Sequence, residues 1–402
     1  MLHAPPLGAL LRRYAAGTAL TCEPVDEGLL NRGYRLRTTR GRYFLKHHFD
    51  PDTADPAAIA RQHRATERLA DLGVPVAPPL PGRDGHTVAV VGGHAYALHP
   101  WIDGRHRHGA QLTPGQCGRL GALLGVVHAG LEHVMRAAHG ERPPPARGGH
   151  VPRRPGADTP PARVPESDPE HGLERSPEHR ATCPERHARG AVTASAERTA
   201  PAARTTPVET TAPAPSPDPA DTFVLIDDLL ARVHRHRPAD SFDELARHRL
   251  VERRALLERH ADRRPPHGGP VGWVHGDFHP FNLLYRGDAP AAIVDWDRLG
   301  VQPRAEEAVR AAAIFFVRPD GSLDLPKARE YARAYRRAAG ATPCELTAAV
   351  HRVWWERLND FWMLRWHYER GDTRADSQFP AASALAVWWT REYDAVCGAF
   401  AD

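Results

Sequence analysis

Residues 273–298 run Trp273-Val274-His275-Gly276-Asp277-Phe278-His279-Pro280-Phe281-Asn282-Leu283-Leu284-Tyr285-Arg286-Gly287-Asp288-Ala289-Pro290-Ala291-Ala292-Ile293-Val294-Asp295-Trp296-Asp297-Arg298. They place an Asp, an Asn and a second Asp at spacings that suit one task. Leu283-Leu284-Tyr285 and Ala292-Ile293-Val294 read as two short strands around the turn Gly287-Asp288-Ala289-Pro290. Pairing Leu283 with Val294 would set Asn282 beside Asp295 at one end of a hairpin. Two hard oxygen ligands there suit Mg²⁺, which takes one or two protein ligands and fills its octahedron with phosphate oxygens and water.

Asp277 and Asn282 stand five positions apart, the spacing of the Asp and Asn in a kinase catalytic loop. His275-Gly276-Asp277-Phe278-His279-Pro280-Phe281-Asn282-Leu283-Leu284, followed by Ile293-Val294-Asp295-Trp296-Asp297, resembles the aminoglycoside phosphotransferase family, whose kinase-like members include choline, homoserine and fructosamine kinases. The alternative is a polar loop with chance acids; several residue types at set spacings inside one loop and hairpin weigh against it. The resemblance implies an α+β, bilobal protein-kinase-like fold with a small mixed β-sheet N-lobe and a mainly helical C-lobe. It also implies roles: Asp277 orients and deprotonates an acceptor hydroxyl, while Asn282 and Asp295 hold Mg²⁺, Asp295 acting as the DFG Asp does in protein kinases. His275 shapes the loop. Asp297 stands where a DFG motif has Gly, which leaves its contact with metal open.

A chain of 402 residues with 41% hydrophobic residues has room for two lobes and their cores. A formal net charge of +4, mixed in sign along the chain, advertises neither nucleic acid nor an anionic membrane. The five cysteines, Cys22, Cys117, Cys183, Cys344 and Cys397, form no C-x-x-C pair, which argues against a disulfide scaffold or zinc site and for a reducing, cytoplasmic setting. No apolar run approaches the ~18 residues of a spanning helix, and Arg12-Arg13 interrupts the N-terminal apolar stretch. Arg dominates the 53 basic residues; the lysines are Lys46 and Lys327. A Lys at a motif position in such a chain points to a task for a compact charge on a flexible stem.

Residues 1–100 read as the N-terminal lobe. Gly28-Leu29-Leu30-Asn31-Arg32-Gly33-Tyr34 is a glycine-punctuated turn before the strand Tyr34–Thr38, and Arg40-Gly41 turns into Tyr43-Phe44-Leu45-Lys46. The turn reads either as an ordinary hairpin end or as a loop whose N–H groups, around Asn31 and Gly33, cover phosphates; Lys46 one strand later favours the second. Asp55-Pro56 opens a helix, Asp as N-cap and Pro at N1, that runs to Leu72 before Gly73. Glu67 is a carboxylate inside it that could hold Lys46; the alternative is a surface acid balancing Arg64 and Arg68. Thr87–Val91 and His94–Leu98 form a hairpin, and Leu98-His99-Pro100-Trp101-Ile102-Asp103-Gly104 reads as a hinge where backbone groups would hydrogen-bond an adenine and apolar side chains sandwich it, with Leu98 and Pro100 as candidates and the bonding carbonyl left open by the sequence.

Residues 101–135 begin the helical lobe, with Leu120, Leu123, Leu124, Val127, Leu131 and Val134 as a core stripe and His128 as structural. From 136 to 221 the chain lacks Phe, Trp, Tyr, Ile and Lys and has Leu173 as its one Leu, which reads as a disordered insertion. His171, His179 and His187 sit eight apart in it without a fold to preorganise them for metal. Residues 222–402 complete the helical lobe. In Val350–Tyr368 aromatics crowd a helix: Val350, Trp354, Leu358 and Phe361 read as core, and Trp355, Asn359, Trp362 and Trp366 as a second stripe available to an acceptor pocket.

These readings converge on an ATP- and Mg²⁺-dependent phosphotransferase acting on a small-molecule hydroxyl, the acceptor being aminoglycoside-, choline-, homoserine- or sugar-like. Lys46 would hold α/β-phosphate oxygens. The rival is a catalytically inactive kinase-like nucleotide-binding regulatory protein, against which Lys46, Asp277, Asn282 and Asp295 stand together.

Overall fold

Tyr34, Leu36 and Leu45 make one face of a sheet apolar, and that face finds an unexpected partner. The computed structural model describes residues 5–25, 32–49, 54–138, 215–266 and 268–402. A short helix, α1 (Leu7–Tyr14), buries Leu10, Leu11 and Tyr14 against Tyr34, Leu36, Leu45, Tyr96 and Leu98. Those residues lie on β1 (Ala19–Val25), β2 (Arg32–Thr38), β3 (Gly41–His48), β4 (Val88–Val91) and β5 (His94–Pro100), an antiparallel sheet of order β1-β2-β3-β5-β4. The Tyr14 hydroxyl lies 2.9 and 3.0 Å from the Thr87 and Tyr96 carbonyls. The opposite face carries Phe44, Lys46 and His48, and α2 (Pro56–Asp71) packs there through Ile59 against Val88 and Ala95. Its start is as the sequence predicts, the Asp55 carboxylate accepting the Ala57 and Ala58 N–H groups.

The helical lobe begins with α3 (Pro114–Ala138), whose Leu120, Leu124, Val127, Leu131 and Val134 are buried. It continues in α4 (Pro219–Arg235) and α5 (Ser241–Arg259). Helix therefore reaches into both ends of the 136–221 tract, because Asp218 caps α4 and Pro219 sits at its first turn; the rest of the expected insertion, 139–214 with its histidines, lies outside the described residues, as does Asn31.

Two small antiparallel pairs follow. β6 (Val271–Val274) pairs with β9 (Gly300–Pro303), and between them β7 (Leu283–Arg286) pairs with β8 (Ala289–Ile293). The hairpin is stitched to both neighbours: the Ile293 N–H donates to the Pro75 carbonyl at 2.8 Å, a parallel bridge joins Val76 to Ile293, and Arg105 and Tyr285 exchange backbone bonds of 2.9 Å. Helices α6 (Arg304–Phe316), α7 (Leu325–Ala339), α8 (Pro343–Asn359), α9 (Trp362–Arg365), α10 (Phe379–Arg391) and α11 (Tyr393–Ala401) complete the lobe. α3 and α7 approach so closely that a Cβ on Gly121 would lie 2.1 Å from the Tyr331 carbonyl oxygen, and one on Gly125 2.6 Å from the Ala338 Cβ. The helix expected across Val350–Tyr368 is broken: α8 ends at Asn359, Asp360 is extended, and a π turn at Trp366–Arg370 follows α9.

Candidate active site

β6 delivers the chain into its loop through a glycine that no other residue replaces without strain. Gly276 has φ +87°, and a Cβ there would meet the Arg298 carbonyl oxygen at 2.1 Å. His275 is fully buried and packs on Trp296; its Nε2 lies 3.0 Å from the Val294 carbonyl, and its Nδ1 accepts the Asp277 N–H at 3.2 Å. Burial pushes its imidazole down, so it holds the loop as a neutral ring. Glu307 of α6 secures the loop from below, accepting the Gly276 N–H and, at 3.3 Å, the His275 N–H. The buried His128 lies 2.6 Å from Glu307 and 3.0 Å from the Tyr335 hydroxyl, the structural role expected of it. Sequence reading missed Glu307, which lies thirty positions beyond the loop it serves.

Asp277 is half-buried. His279 Nε2 lies 3.5 Å and Arg298 Nε 4.0 Å from its Oδ2. Burial pushes its carboxyl up, but His279 and Arg298 outweigh this and hold it below the usual range, so it is an anion available to accept a proton. Asn282 ends a single 3₁₀ turn, Pro280–Asn282, capped by the His279 ring. Its Nδ2 donates to the Asp277 carbonyl at 2.9 Å, leaving Oδ1, the atom a hard cation needs, for a ligand.

The hairpin register differs by one from expectation. Leu283 faces Ile293, not Val294, and the Val294 N–H donates to the Asn282 carbonyl at 2.9 Å. The consequence survives the slip, because that bond keeps Asn282 next to the residue before Asp295. Asp295 itself takes φ +59°, a left-handed conformation that Asp tolerates better than most residues and that recurs at functional sites. Its neighbour Val294 is the residue bonded to Asn282, and its own Oδ1 lies 2.7 Å from Lys46 Nζ.

Lys46 corrects a second expectation. Its partners are Asp295 and Asp297, each at 2.7 Å, and Glu67 is not among them. Glu67 has Arg64 and Asp71 as its charged neighbours, and burial pushes its carboxyl up. Burial would push the Lys46 ammonium down, but the two carboxylates override it and keep Lys46 charged. Burial, joined by the Asp295 charge and opposed by Lys46, pushes Asp297 up to about 6. Asp295 moves the other way: burial raises it, and Lys46 more than reverses this.

Gly33 lies opposite Lys46 across β2 and β3, and the Phe44 ring fills the space its side chain would take. At the hinge, the Leu98 carbonyl accepts the Leu80 N–H at 2.7 Å, Pro100 has no N–H, and the Trp101 N–H goes to the Arg42 carbonyl at 3.1 Å. The Leu98 carbonyl and the Trp101 N–H are thus both engaged within the lobe.

The aromatic stripe divides. Trp355 is fully buried, its Nε1 donating to the Pro217 carbonyl, and the Asn359 amide is bonded to Thr222 and to the Trp355 carbonyl, so neither lines a pocket. Trp362 and Trp366 remain half-buried and meet edge to face, 5.2 Å between centroids, with Arg370 over Trp366. Trp362 also lines a cavity of about 40 Å³ with Arg249, Arg253 and Arg357.

Among the described residues no helix is long and apolar enough to cross a membrane. The family model for the phosphotransferase enzyme family, APH, matches residues 21–341. The chain belongs to that family. Relatives of this APH-family chain include homoserine kinases of Bartonella tribocorum, 26% identical over 33% of the chain and 41% of that protein, and of Burkholderia multivorans, 32% identical over 32% and 38%. The chain thus spans about two fifths of the length of these curated relatives. Solved structures with the same fold include an aminoglycoside phosphotransferase of Alicyclobacillus acidocaldarius, TM-score 0.54 at 12% identity over 99% of this chain and 96% of that one. A spectinomycin phosphotransferase in complex with ADP and spectinomycin gives 0.53 at 13% over 100% and 98%. At such identities the likeness establishes the bilobal kinase-like fold.

Proposed function

We propose that this protein is an ATP- and Mg²⁺-dependent phosphotransferase acting on a hydroxyl of a small molecule. The observation that carries the reading is a set of short links: the Asn282 amide donates to the Asp277 carbonyl, the N–H of Val294, next to Asp295, donates to the Asn282 carbonyl, and Lys46 meets the Asp295 carboxylate, which together gather a base, two hard oxygen donors and a phosphate-binding cation. Asn282 Oδ1 and the Asp295 carboxylate fit Mg²⁺, whose charge when bound offsets that of the phosphate oxygens. Lys46, held charged, takes phosphate oxygens. Asp277, held anionic, orients the acceptor hydroxyl and takes its proton. His275 and Glu307 fix the loop so that this carboxylate needs no reorganisation as it acts.

The Arg298 guanidinium beside Asp277 makes the acceptor side unfavourable to a polycation and supports a neutral or zwitterionic hydroxyl compound. The relatives named homoserine kinase support the same direction. Acceptor-stimulated ADP release, measured with Mg·ATP across homoserine, choline, simple sugars, nucleosides and aminoglycosides, tests this. One acceptor class is expected to stimulate release, and Asp277→Asn to lower turnover by about 10²-fold or more while nucleotide still binds. Undiminished turnover in that variant rejects the base assignment; silence across the panel, in a protein that binds Mg·ATP, rejects the acceptor classes named.

A further inference from the structure

Helix α2 brings no carboxylate to Lys46. Towards the sheet it presents Ile59, packed with Val88 and Ala95, and His63, 2.7 Å from the Thr87 hydroxyl, while Leu69 packs into the helical lobe's core. The groups near Lys46 from that side are imidazoles: His63, whose ring meets His99 at 5.6 Å, and His48, two positions on and on the same face of β3. Burial pushes all three below their ordinary value, so they are neutral and supply no counter-charge. The ammonium, on a residue 8% exposed, instead meets two carboxylates from the loop after β8.

Those two carboxylates are unequal. The Asp295 side chain is 45% exposed, whereas that of Asp297 is 12% exposed. The Asp297 backbone is also the point to which α2 is moored, its carbonyl accepting the Gln62 Nε2 at 2.9 Å. We propose that Asp297 is the positioning residue for Lys46, standing in for the absent helix carboxylate, and that Gln62 docks α2 onto the same residue. The proposal rests on the phosphotransferase reading. A carboxylate turned to a cation cannot also hold the lysine at full strength. Asp297 leaves Lys46 with a partner when Asp295 is so engaged; without it a buried ammonium would pull on Asp295 alone, at a cost a buried ion pair incurs when one member is removed.

The chain has two lysines, Lys46 and Lys327, so protein labelled with ¹⁵N-lysine gives two side-chain ammonium signals, which Lys46→Arg assigns. Asp297→Asn is expected to shift the Lys46 signal in the nucleotide-free protein. It should also weaken binding of a fluorescent ATP analogue on the order of tenfold, raise KM for ATP with little change in kcat, and leave the Mg²⁺ requirement and acceptor KM unchanged. Asp297→Glu restores part of the affinity, and Glu67→Gln has no effect on it. An unmoved Lys46 signal with unchanged nucleotide affinity overturns the proposal. So does a raised Mg²⁺ requirement with an unmoved Lys46 signal, which would make Asp297 a metal ligand. If Asp297→Asn does not fold, Asp297→Glu carries the same readouts: a shifted Lys46 signal with weakened nucleotide binding supports the proposal, and no change in either overturns it. Loss of the phosphotransferase reading would show separately, as nucleotide binding without turnover in the unaltered protein.

Discussion

Gly276 and Glu307 hold the catalytic loop by opposite means, one by offering no side chain and the other by offering two oxygens. Gly276→Ala forces a Cβ against the Arg298 carbonyl at a backbone conformation that already favours glycine. A loss of about 1–3 kcal/mol in stability and a larger fractional loss of turnover are expected, read by thermal melting and ADP release; a variant with unchanged melting and turnover would show the loop to be softer than its contacts imply. The chemistry-bearing residues here were legible in sequence because Asp277, Asn282 and Asp295 fall in one loop and the two ends of the short hairpin that follows it, where spacing alone nearly determines proximity. Lys46 and Asp297 are 251 positions apart, and only the closed fold brings them together. Glu67 was misread for a geometric reason. It lies one turn beyond His63, about 6 Å further along the helix axis, and composition cannot tell which turn of a helix faces the lysine.

Between elements, closeness is set by what is missing as much as by what is present. α3 meets α7 across Gly121 and Gly125, and the Tyr331 backbone occupies the position of the absent Gly121 side chain. Gly121→Ala is therefore expected to destabilise by about 1–3 kcal/mol despite alanine's better helix propensity, because the two helices must part. Urea unfolding checks the sign: a more stable variant would show that propensity outweighs the clash. The leucine stripe of α3 was readable by its three- and four-residue steps, but its glycine face was not, since nothing in the period announces a second helix at contact distance. α1 escaped notice because Arg12-Arg13 hid the apolar set Leu10, Leu11 and Tyr14. Trp355 reads from sequence as pocket-lining because α8 packs on several neighbours, α6, α11 and the segment entering α4, and a helix covered on more than one side carries no single stripe.

Taken as one body, the N-terminal lobe carries an acid-sensitive interior. Burial pushes His63 down to about 3 and, against the Ala77 carbonyl bond, His99 down to about 4, from an ordinary 6.5. As pH falls through 6.5 the unfolded chain takes up protons at these positions and the folded chain does not. Their stabilising contribution is thus complete above 6.5 and is lost toward pH 4 and 3, at up to about 1.4 kcal/mol per group for each pH unit. Melting temperature should drop between pH 7.5 and 5, and His63→Leu should flatten that slope; a pH-independent melt would mean these rings are protonated or exposed. The two-lobed kinase-like plan and the family were legible from a short motif because that motif is specific, while the acceptor side was not, since it depends on which surfaces the helices leave open. The hairpin that presents Asn282 and Asp295 is laced by backbone bonds to Pro75 above it and to Arg105 beside it. It therefore works as a seam: the segment that follows α2 and the segment that follows β5 are both sewn, main chain to main chain, to the turn that carries Asn282 and Asp295, so the spacing between Lys46 and those two residues is set by backbone bonds that side-chain substitution leaves in place.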